Sequence, residues 1–351
     1  MAQAAQPTNV IRKWGTPEMN EEEILRRRMH GLYLTRKCAD IVELSRELLG
    51  LHSWFYRNVA FSALIRGADI GGWKTALTKT WLYRGTLHGV AYDDLPTLLA
   101  LHGDDSYLAR FYGEDMLLRI EDEVIRCLED GVNSRTQLRH IFFENYEQQV
   151  IENIFSPWGG IFVRLARRGR VAFCDMASRD FDLIDAEPTQ TLDEVLPGLL
   201  RRFFAAYGPA TLADAAWFFG FWRDDKKKLG AQDLSEFARF ELNGNVYYDL
   251  EEKDDVADIP ELTLLSGFDP LIVSYTTTGR GAVLPAEYKN RVILKSGICN
   301  PTVAVNGRVA GLWNIKKNAP SVEFFEPQSK RIAEAARELV DDICWRTSGR
   351  V

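Results

Sequence analysis

The order in which helical and strand-like segments follow one another constrains the fold more than any other feature of this sequence. Helical periodicity over Glu21–Arg36 and Ala39–Leu51 is followed by two strand-like stretches, Trp81–Tyr83 and Leu87–Tyr92. The turn between these two stretches is Arg84-Gly85-Thr86. Helices that end on a short hairpin are typical of a winged helix, and we predict one at this end of the chain.

The same order of segments recurs twice further along the chain. Glu114–Leu128 has the periodicity of a helix, and Val163–Phe173 carries strand-like residues around an arginine-rich turn. Thr191–Tyr207 is again helical, and Phe240–Tyr248 has strand character on both sides of an Asn-Gly turn. These are repeats of architecture rather than of sequence, and they predict two further winged helices.

Beyond residue 260 the sequence changes to short strands. Asn306-Gly307 is a strong two-residue hairpin signal, and Glu326–Cys344 is an amphipathic closing helix. The predicted strands are Leu262–Leu265, Leu271–Ser274, Arg291–Leu294, Val303–Val305, Val309–Trp313 and Val322–Phe325. We therefore predict an α+β fold of three tandem winged-helix modules, the last extended by a C-terminal β-rich sheet and a closing helix. The predicted boundaries are 1–19 for a flexible lead, 20–106, 107–188 and 189–260 for the three winged helices, and 261–351 for the C-terminal extension.

The distribution of charge bears on the binding partner. Lys+Arg number 43 and Asp+Glu number 50, so the net charge of −7 excludes a uniformly basic surface but allows a local one. Residues 163–170 carry four arginines and no acid, and a lysine run lies beside the short helix of the third module. Such runs form either solvated faces or phosphate-binding faces, and their equivalent places in two modules leave the two interpretations equally open. The candidate DNA-binding residues, including one from a predicted second-helix face, are Arg135, Arg164, Arg167, Arg168, Arg170, Lys226, Lys227 and Lys228.

Composition excludes several other classes of protein. No apolar run reaches the roughly 18 residues that a membrane span needs, and Met1–Pro17 lacks the apolar core of a secretory signal. The five cysteines form no C-x-x-C pair and the five histidines show no metal-ligand spacing, so we expect reduced thiols and no metal site. There is no glycine-rich phosphate loop. We predict a cytoplasmic protein that needs no cofactor, and its oligomeric state stays open.

Several short strings, taken in order, resemble one known family. The most specific is Tyr83-Arg84-Gly85-Thr86-Leu87-His88. It resembles the R-G-T-L-H hairpin of the winged-helix DNA glycosylase family typified by the bacterial AlkZ/YcaQ crosslink-repair enzymes. The other strings are Leu48-Leu49-Gly50-Leu51, Tyr207-Gly208-Pro209-Ala210-Thr211, Phe268-Asp269-Pro270-Leu271 and the stretch from Val303 to Trp313. By their joint order and spacing, from about residue 20 to residue 345, the chain is identified as a member of this family.

The resemblance implies a function and a set of site residues. Members of the family bind duplex DNA in a concave channel made by three tandem winged helices, and they hydrolyse the N-glycosidic bond of bulky alkylated or crosslinked purines. Their catalytic Gln-x-Gln or Gln-x-Asp motif corresponds here to His52-Ser53-Trp54, which implies that His52 and Trp54 occupy the catalytic positions. Arg84 and His88 lie in the wing of the first module, and a wing sets such side chains against the DNA backbone.

The altered motif leaves two functions open. His52 could orient a water molecule or act as a general base, because imidazole has a reference pKa of about 6.5. Trp54 can only donate a hydrogen bond through its indole N–H, so its expected role is to stack on a base or to fill the gap left by a lesion. Alternatively, His52 and Trp54 pack structurally and the backbone of the hairpin satisfies His88. The protein would then be a non-catalytic winged-helix DNA-binding or regulatory protein.

Overall fold

The structure, a computed structural model, describes residues 19–101, 108–222, 224–250 and 256–348, so most of the predicted lead lies outside the described residues. In chain order the helices are α1 (Glu21–Gly31), α2 (Ile41–Glu47), α3 (Arg57–Ile65), α4 (Trp73–Ala76), α5 (Leu95–Leu99), α6 (Ala109–Tyr112), α7 (Glu114–Glu129), α8 (Arg135–Phe142), α9 (Gln148–Ile154), α10 (Ile161–Arg167), α11 (Leu192–Tyr207), α12 (Leu212–Phe219), α13 (Asp224–Gly230), α14 (Pro270–Val273), α15 (Lys289–Val292) and α16 (Lys330–Ser348). The strands are β1 (Leu51–His52), β2 (Thr78–Trp81), β3 (Leu87–Val90), β4 (Val171–Phe173), β5 (Phe181–Leu183), β6 (Ala238–Leu242), β7 (Asn245–Asp249), β8 (Leu262–Leu265), β9 (Thr302–Val305), β10 (Arg308–Lys316) and β11 (Ala319–Phe324). This mixture of helix and sheet confirms the predicted α+β class.

Polar caps start several of the helices. The Asn20 side chain accepts a hydrogen bond from the backbone N–H of Glu23 at 2.9 Å, as its position before the acidic turn of α1 predicts. Ser134 caps α8 in the same way, at 3.2 Å from the backbone nitrogen of Thr136. At α12, Thr211 and Asp214 form a reciprocal capping box, since each side chain accepts from the other residue's backbone N–H.

A five-stranded antiparallel sheet in the order β1-β3-β2-β4-β5 carries the candidate site. The hairpin predicted around Arg84-Gly85-Thr86 is confirmed as β2 and β3, with Thr80 opposite His88. Strand β1 adds to the free edge of β3, and β2 meets β4 where Lys79 lies opposite Phe173. The sheet therefore joins segments that are far apart in the chain.

A second sheet, in the order β11-β10-β9-β8, forms the C-terminal extension. The predicted turn at Asn306-Gly307 connects β9 to β10, and both residues have positive φ, of 48° and 75°, as this class of hairpin turn requires. The indole of Trp313 on β10 is buried and donates to the carbonyl of Leu265 at 2.9 Å. Helix α16 packs against the same sheet and closes the fold, as predicted.

Three of the predicted strands are wrong. The first part of Val163–Phe173 is helix α10, and only its last residues form β4. Leu271–Ser274 lies largely in α14, because Asp269 caps that helix and Pro270 occupies its first turn. In the predicted strand Arg291–Leu294, the first two residues belong to α15 and the last two follow it. Short apolar runs do not reveal their period, so these helical turns resembled strands in the sequence.

The hydrophobic side chains form two clusters. The larger one gathers residues from helices α1–α5 and α11–α16 and from the C-terminal sheet. The smaller one collects residues between Trp81 and Phe181. Val90 on β3 belongs to the larger cluster, whereas Trp81 on β2 belongs to the smaller one. The five-stranded sheet consequently contributes to both clusters and connects them. Each buried Phe or Leu stabilises the folded state by about 1.5–3 kcal/mol.

None of the helices in the described ranges combines the length and the apolar character that a membrane span requires. All five cysteines are thiols that form no disulfide. Over the same ranges, no cluster of His, Cys, Asp and Glu has the arrangement of a metal site.

Candidate nucleic-acid site

The pairing of two short strands brings His52 and His88 together; we call them the histidine pair. Strand β1 places His52 directly opposite His88, and the two rings meet edge to face with centroids 5.3 Å apart. The chain reaches β1 through Gly50, whose φ is 106°. A Cβ on Gly50 would lie 2.8 Å from a methyl carbon of Val90, so only glycine lets β1 lie this close to β3.

The ring of His52 is partly buried and lies flat on a phenylalanine. Its centroid is 4.1 Å from that of Phe268, and the two planes differ by 2°. Burial lowers the pKa of His52 well below its usual value, and electrostatic repulsion from His88 and Arg84 acts in the same direction. Nδ1 accepts a long hydrogen bond of 3.4 Å from the backbone N–H of Trp54. A neutral His52 with its proton on Nε2 follows from these contacts.

A buried ion pair fixes the loop that carries Phe268. Asp269 accepts both arms of the Arg66 guanidinium at 3.0 and 3.1 Å, and both side chains are fully buried. Asp269 also accepts from the backbone N–H groups of Ser266 and Leu271, which closes the loop around Phe268. Because a carboxylate held at four points cannot move, Phe268 is fixed against His52. No local sequence signal indicated Arg66, which lies 203 positions before its partner.

His88 is buried and its hydrogen bonding is set by its own hairpin. Nδ1 donates to the carbonyl oxygen of Thr86 at 3.1 Å. This is the contact expected from the alternative in which the backbone of the hairpin satisfies His88. The Tyr83 ring packs edge-on against His88 with centroids 5.2 Å apart, and the Tyr83 hydroxyl donates to the Leu49 carbonyl at 2.9 Å. His88 therefore both approaches His52 and anchors the turn between β2 and β3.

The structure places Arg84 against the end of helix α12. Its Nη1 donates to the carbonyl oxygens of Trp217 and Phe218 at 3.0 and 2.9 Å, and its guanidinium lies 5.4 Å from the Trp217 ring. Burial lowers the pKa of Arg84 to about 10. Carbonyl groups at a helix C-terminus attract cations, so these contacts stabilise the fold.

Trp54 follows His52 by two residues, is exposed, and stacks on a second tryptophan. The rings of Trp54 and Trp158 have centroids 6.1 Å apart and planes 15° apart. Both line a groove of about 700 Å³ together with Lys79, Trp81 and Arg135. Sequence reasoning missed Trp158, because its segment, between α9 and α10, shows no resemblance to a catalytic motif.

Arg135 lies in the wall of this groove. Its guanidinium donates to the Ser156 carbonyl at 2.6 Å and lies over the rings of Phe162 and Phe181, at 5.2 and 5.5 Å. Burial lowers its pKa. The side chain is thus held by Ser156, Phe162 and Phe181, with its positive charge adjacent to the groove.

The four arginines Arg164, Arg167, Arg168 and Arg170, which we call the arginine cluster, lie at the end of α10 and before β4. Arg164 is buried and pairs with Glu114 and Glu121 of α7. Arg168 contacts the same two carboxylates at 3.1 and 2.8 Å. Arg170 pairs with Glu187 at 3.0 Å, and Arg167 lines a cavity of about 850 Å³ with Arg168 and Arg170.

The lysine run lies on the short helix α13. Lys227 pairs with Asp224 at 2.7 Å, and Lys228 pairs with Asp193 at 2.9 Å. Lys226 is exposed. These pairs are solvent-exposed, so the lysines remain able to exchange their partners for a phosphate at small cost.

Comparisons with known proteins agree on one family. The model of the family described as DNA glycosylase AlkZ-like matches residues 74–343, well over half of the chain. The interstrand DNA cross-link repair glycosylase of Streptomyces sahachiroi is 26% identical over 299 residues, which cover 78% of this chain and 80% of the relative. The solved structure of Streptomyces sahachiroi DNA glycosylase AlkZ superposes with a TM-score of 0.75 and 23% identity, covering 94% of this chain and 98% of that chain. The structural likeness shows a shared fold.

Proposed function

Because this chain belongs to the AlkZ-like DNA glycosylase family, we propose that it binds duplex DNA and hydrolyses the N-glycosidic bond of bulky alkylated or crosslinked purines. The relative from Streptomyces sahachiroi is named for interstrand cross-link repair, which supports this substrate class. In the proposal, three tandem winged helices with the predicted boundaries form the DNA channel. Arg84, Arg135, the arginine cluster and the lysine run contribute positive charge to it.

The observation that carries the proposal is the state of His52. By the resemblance of the sequence, it corresponds to the first position of the family's catalytic motif. Its ring lies flat on Phe268, and its pKa is held well below the usual value. A neutral, immobile imidazole is suited to hold one water molecule through its Nε2 edge. The contact from Trp54 occupies Nδ1 and favours the water-orienting role over the general-base role.

This role suffices for an alkylated purine. An N7-alkylpurine carries a positive charge, so it leaves with the electron pair of the broken C1′–N bond and becomes neutral. The oxygen of a water molecule then bonds to C1′, and the water releases one proton to solvent, because Nε2 of His52 already carries a proton and its Nδ1 is occupied by the Trp54 N–H. Since the leaving group needs no strong acid, the site needs only to aim the water.

Base release from a duplex that contains N7-alkylguanine or a nitrogen-mustard crosslink tests the proposal. We expect abasic sites with wild-type protein and a loss of about 10²-fold with His52→Ala, because the water is then no longer positioned. His52→Gln, which can orient water but cannot accept its proton, should keep most of the activity. The matched control is His140→Ala, because His140 is an exposed histidine on α8. No excess of abasic sites over His52→Ala would end the enzymatic proposal.

A second candidate function is DNA binding without catalysis, as a winged-helix DNA-binding or regulatory protein. The observation that favours it is Trp54, whose indole cannot replace the second amide or carboxylate of the family motif. In this case duplex DNA should bind with a steep dependence on salt, since several phosphates would be neutralised, but no base would be released. Gel shifts at low and moderate salt beside the excision assay separate the two functions.

A further inference from the structure

Two tryptophans from distant segments form an exposed stacked pair, the tryptophan platform of Trp54 and Trp158. Trp54 is 40% exposed and Trp158 is 75% exposed. Their centroid distance of 6.1 Å lies within the range of about 4.5–7 Å for two rings in direct contact. A third ring therefore has no room between them and must stack on an outer face.

The backbone holds both tryptophans in place. Ser53, next to Trp54, donates its backbone N–H to the Leu87 carbonyl at 2.8 Å, which extends the pairing of β1 with the β2–β3 hairpin. Trp158 precedes Gly159 and Gly160, whose φ values are 124° and 56°. A Cβ on Gly160 would collide with the carbonyl of Ile154, so the turn accepts only glycine at this position. Fixed rings lose little conformational entropy when a ligand stacks on them.

The groove beside the platform is positively charged. Lys79, Arg135 and Arg179 line it, and Asp180 is the carboxylate in the same wall. The Lys79 side chain donates to the carbonyls of Met176 and Ser178 at 3.1 and 2.9 Å, which fixes its position. Burial lowers its pKa to about 8 while the nearby Asp175 raises it, so the amine is still mostly charged at pH 7. Arg179 is exposed at the rim. A polyanion with aromatic groups complements this surface better than an apolar peptide does.

We propose that the tryptophan platform binds an unpaired nucleobase of DNA, which stacks on Trp158 while the adjoining phosphate lies near Arg179. The groove of about 700 Å³ falls in the size range of small-ligand sites and can hold one base with its sugar. Base stacking on aromatic side chains tolerates every base, so this site would recognise loss of pairing rather than sequence. The inference rests on the proposed function only in taking DNA as the ligand.

The test uses two duplexes of the same sequence, one with 2-aminopurine in a single-base bulge and one with 2-aminopurine paired. We expect wild-type protein to bind the bulged duplex about tenfold more tightly and to quench its fluorescence. Trp158→Ala should abolish the preference and the quenching, and Trp158→Phe should retain part of both. Trp345→Ala is the matched control, because Trp345 on α16 is 77% exposed and should leave the preference unchanged.

Equal binding of the two duplexes by wild-type protein, including no binding of either, would overturn the proposal and leave the platform to another partner. A preference that survives Trp158→Ala would also overturn it. Since Trp158 is exposed, its replacement leaves the two hydrophobic clusters intact. Failure of the proposed function has a different signature, namely no base release by a protein that still prefers the bulged duplex.

Discussion

The histidine pair lies on β1 and β3, and the arginine cluster precedes β4 of the same five-stranded sheet. The two regions differ in whether a buried cationic group keeps its charge. His52 is surrounded by Phe268 and by other potential cations, and its pKa is lowered so that it loses its charge. Arg164 is buried but keeps its charge, because Glu114 and Glu121 of α7 accept its N–H groups. One region is prepared to hydrogen-bond a neutral ligand, whereas the other is largely occupied by the protein's own acids.

This difference shows that a cation's function depends on its nearest partner more than on its place in the sequence. Arg164 and Arg168 connect α10 to α7, so a large part of their interaction energy already stabilises the second hydrophobic cluster. Arg170 pairs instead with Glu187, whose side chain is 56% exposed. Within the arginine cluster, the contribution to DNA binding should therefore rise as the contribution to folding falls.

The largest expected effect concerns the buried acid. Glu121→Ala leaves the Arg164 guanidinium enclosed with one carboxylate fewer, and we expect a loss of about 3–5 kcal/mol in the free energy of unfolding. Urea denaturation followed by circular dichroism measures it. Glu187→Ala, which removes the exposed partner of Arg170, is the control and should cost less than about 1 kcal/mol. Similar losses for the two variants would contradict the distinction between the two ends of the cluster.

Local sequence signals predicted several hairpins, turns and helix caps. The hairpin around Arg84, the turn at Asn306-Gly307 and the caps Asn20 and Ser134 each depend on residues within a few positions. The position of His52 followed from the resemblance of a short string to a family motif.

The remaining features arise from contacts between distant segments. Glu121 meets Arg164 43 positions later, and Trp158 reaches Trp54 only because β4 joins the sheet next to β2. The arginine-rich stretch contains no acid of its own, so its neutralisation by α7 could not be seen locally. For the same reason the sequence indicated a conspicuous basic run but not its partners.

Arg84 extends the comparison to a cation whose partners are carbonyl groups and an aromatic ring, without a carboxylate among the contacts described. Arg84→Gln keeps a side chain at the same positive φ of 53° but loses the charged contacts to Trp217 and Phe218. We expect the protein to lose about 1.5–3 kcal/mol of stability in urea. A stable variant whose DNA affinity falls sharply would instead assign Arg84 to a phosphate.

The pH dependence of stability probes the histidine pair. Because the folded-state pKa of His52 is depressed, the unfolded chain binds a proton more readily and stability falls as the pH drops below about 6.5. Compared with His52→Phe, which keeps an aromatic ring on Phe268, the wild-type protein should lose at most about 1.4 kcal/mol per pH unit between about pH 6.5 and pH 5. Parallel stability curves for the two proteins over this range would show that His52 is protonated equally in both states.

The smallest effect on stability should come from Arg170, and it sharpens the gradient within the arginine cluster. Arg170 is 44% exposed in its side chain and pairs with Glu187 at 3.0 Å, so Arg170→Ala should change the free energy of unfolding by less than about 1 kcal/mol. If Arg170 contacts phosphate, the same variant should weaken binding to all duplex sequences alike and reduce the salt slope by about one. Salt titrations of wild type and Arg170→Ala on two unrelated duplexes measure this. An unchanged slope would mean that Arg170 lies on a solvated face and contacts no phosphate.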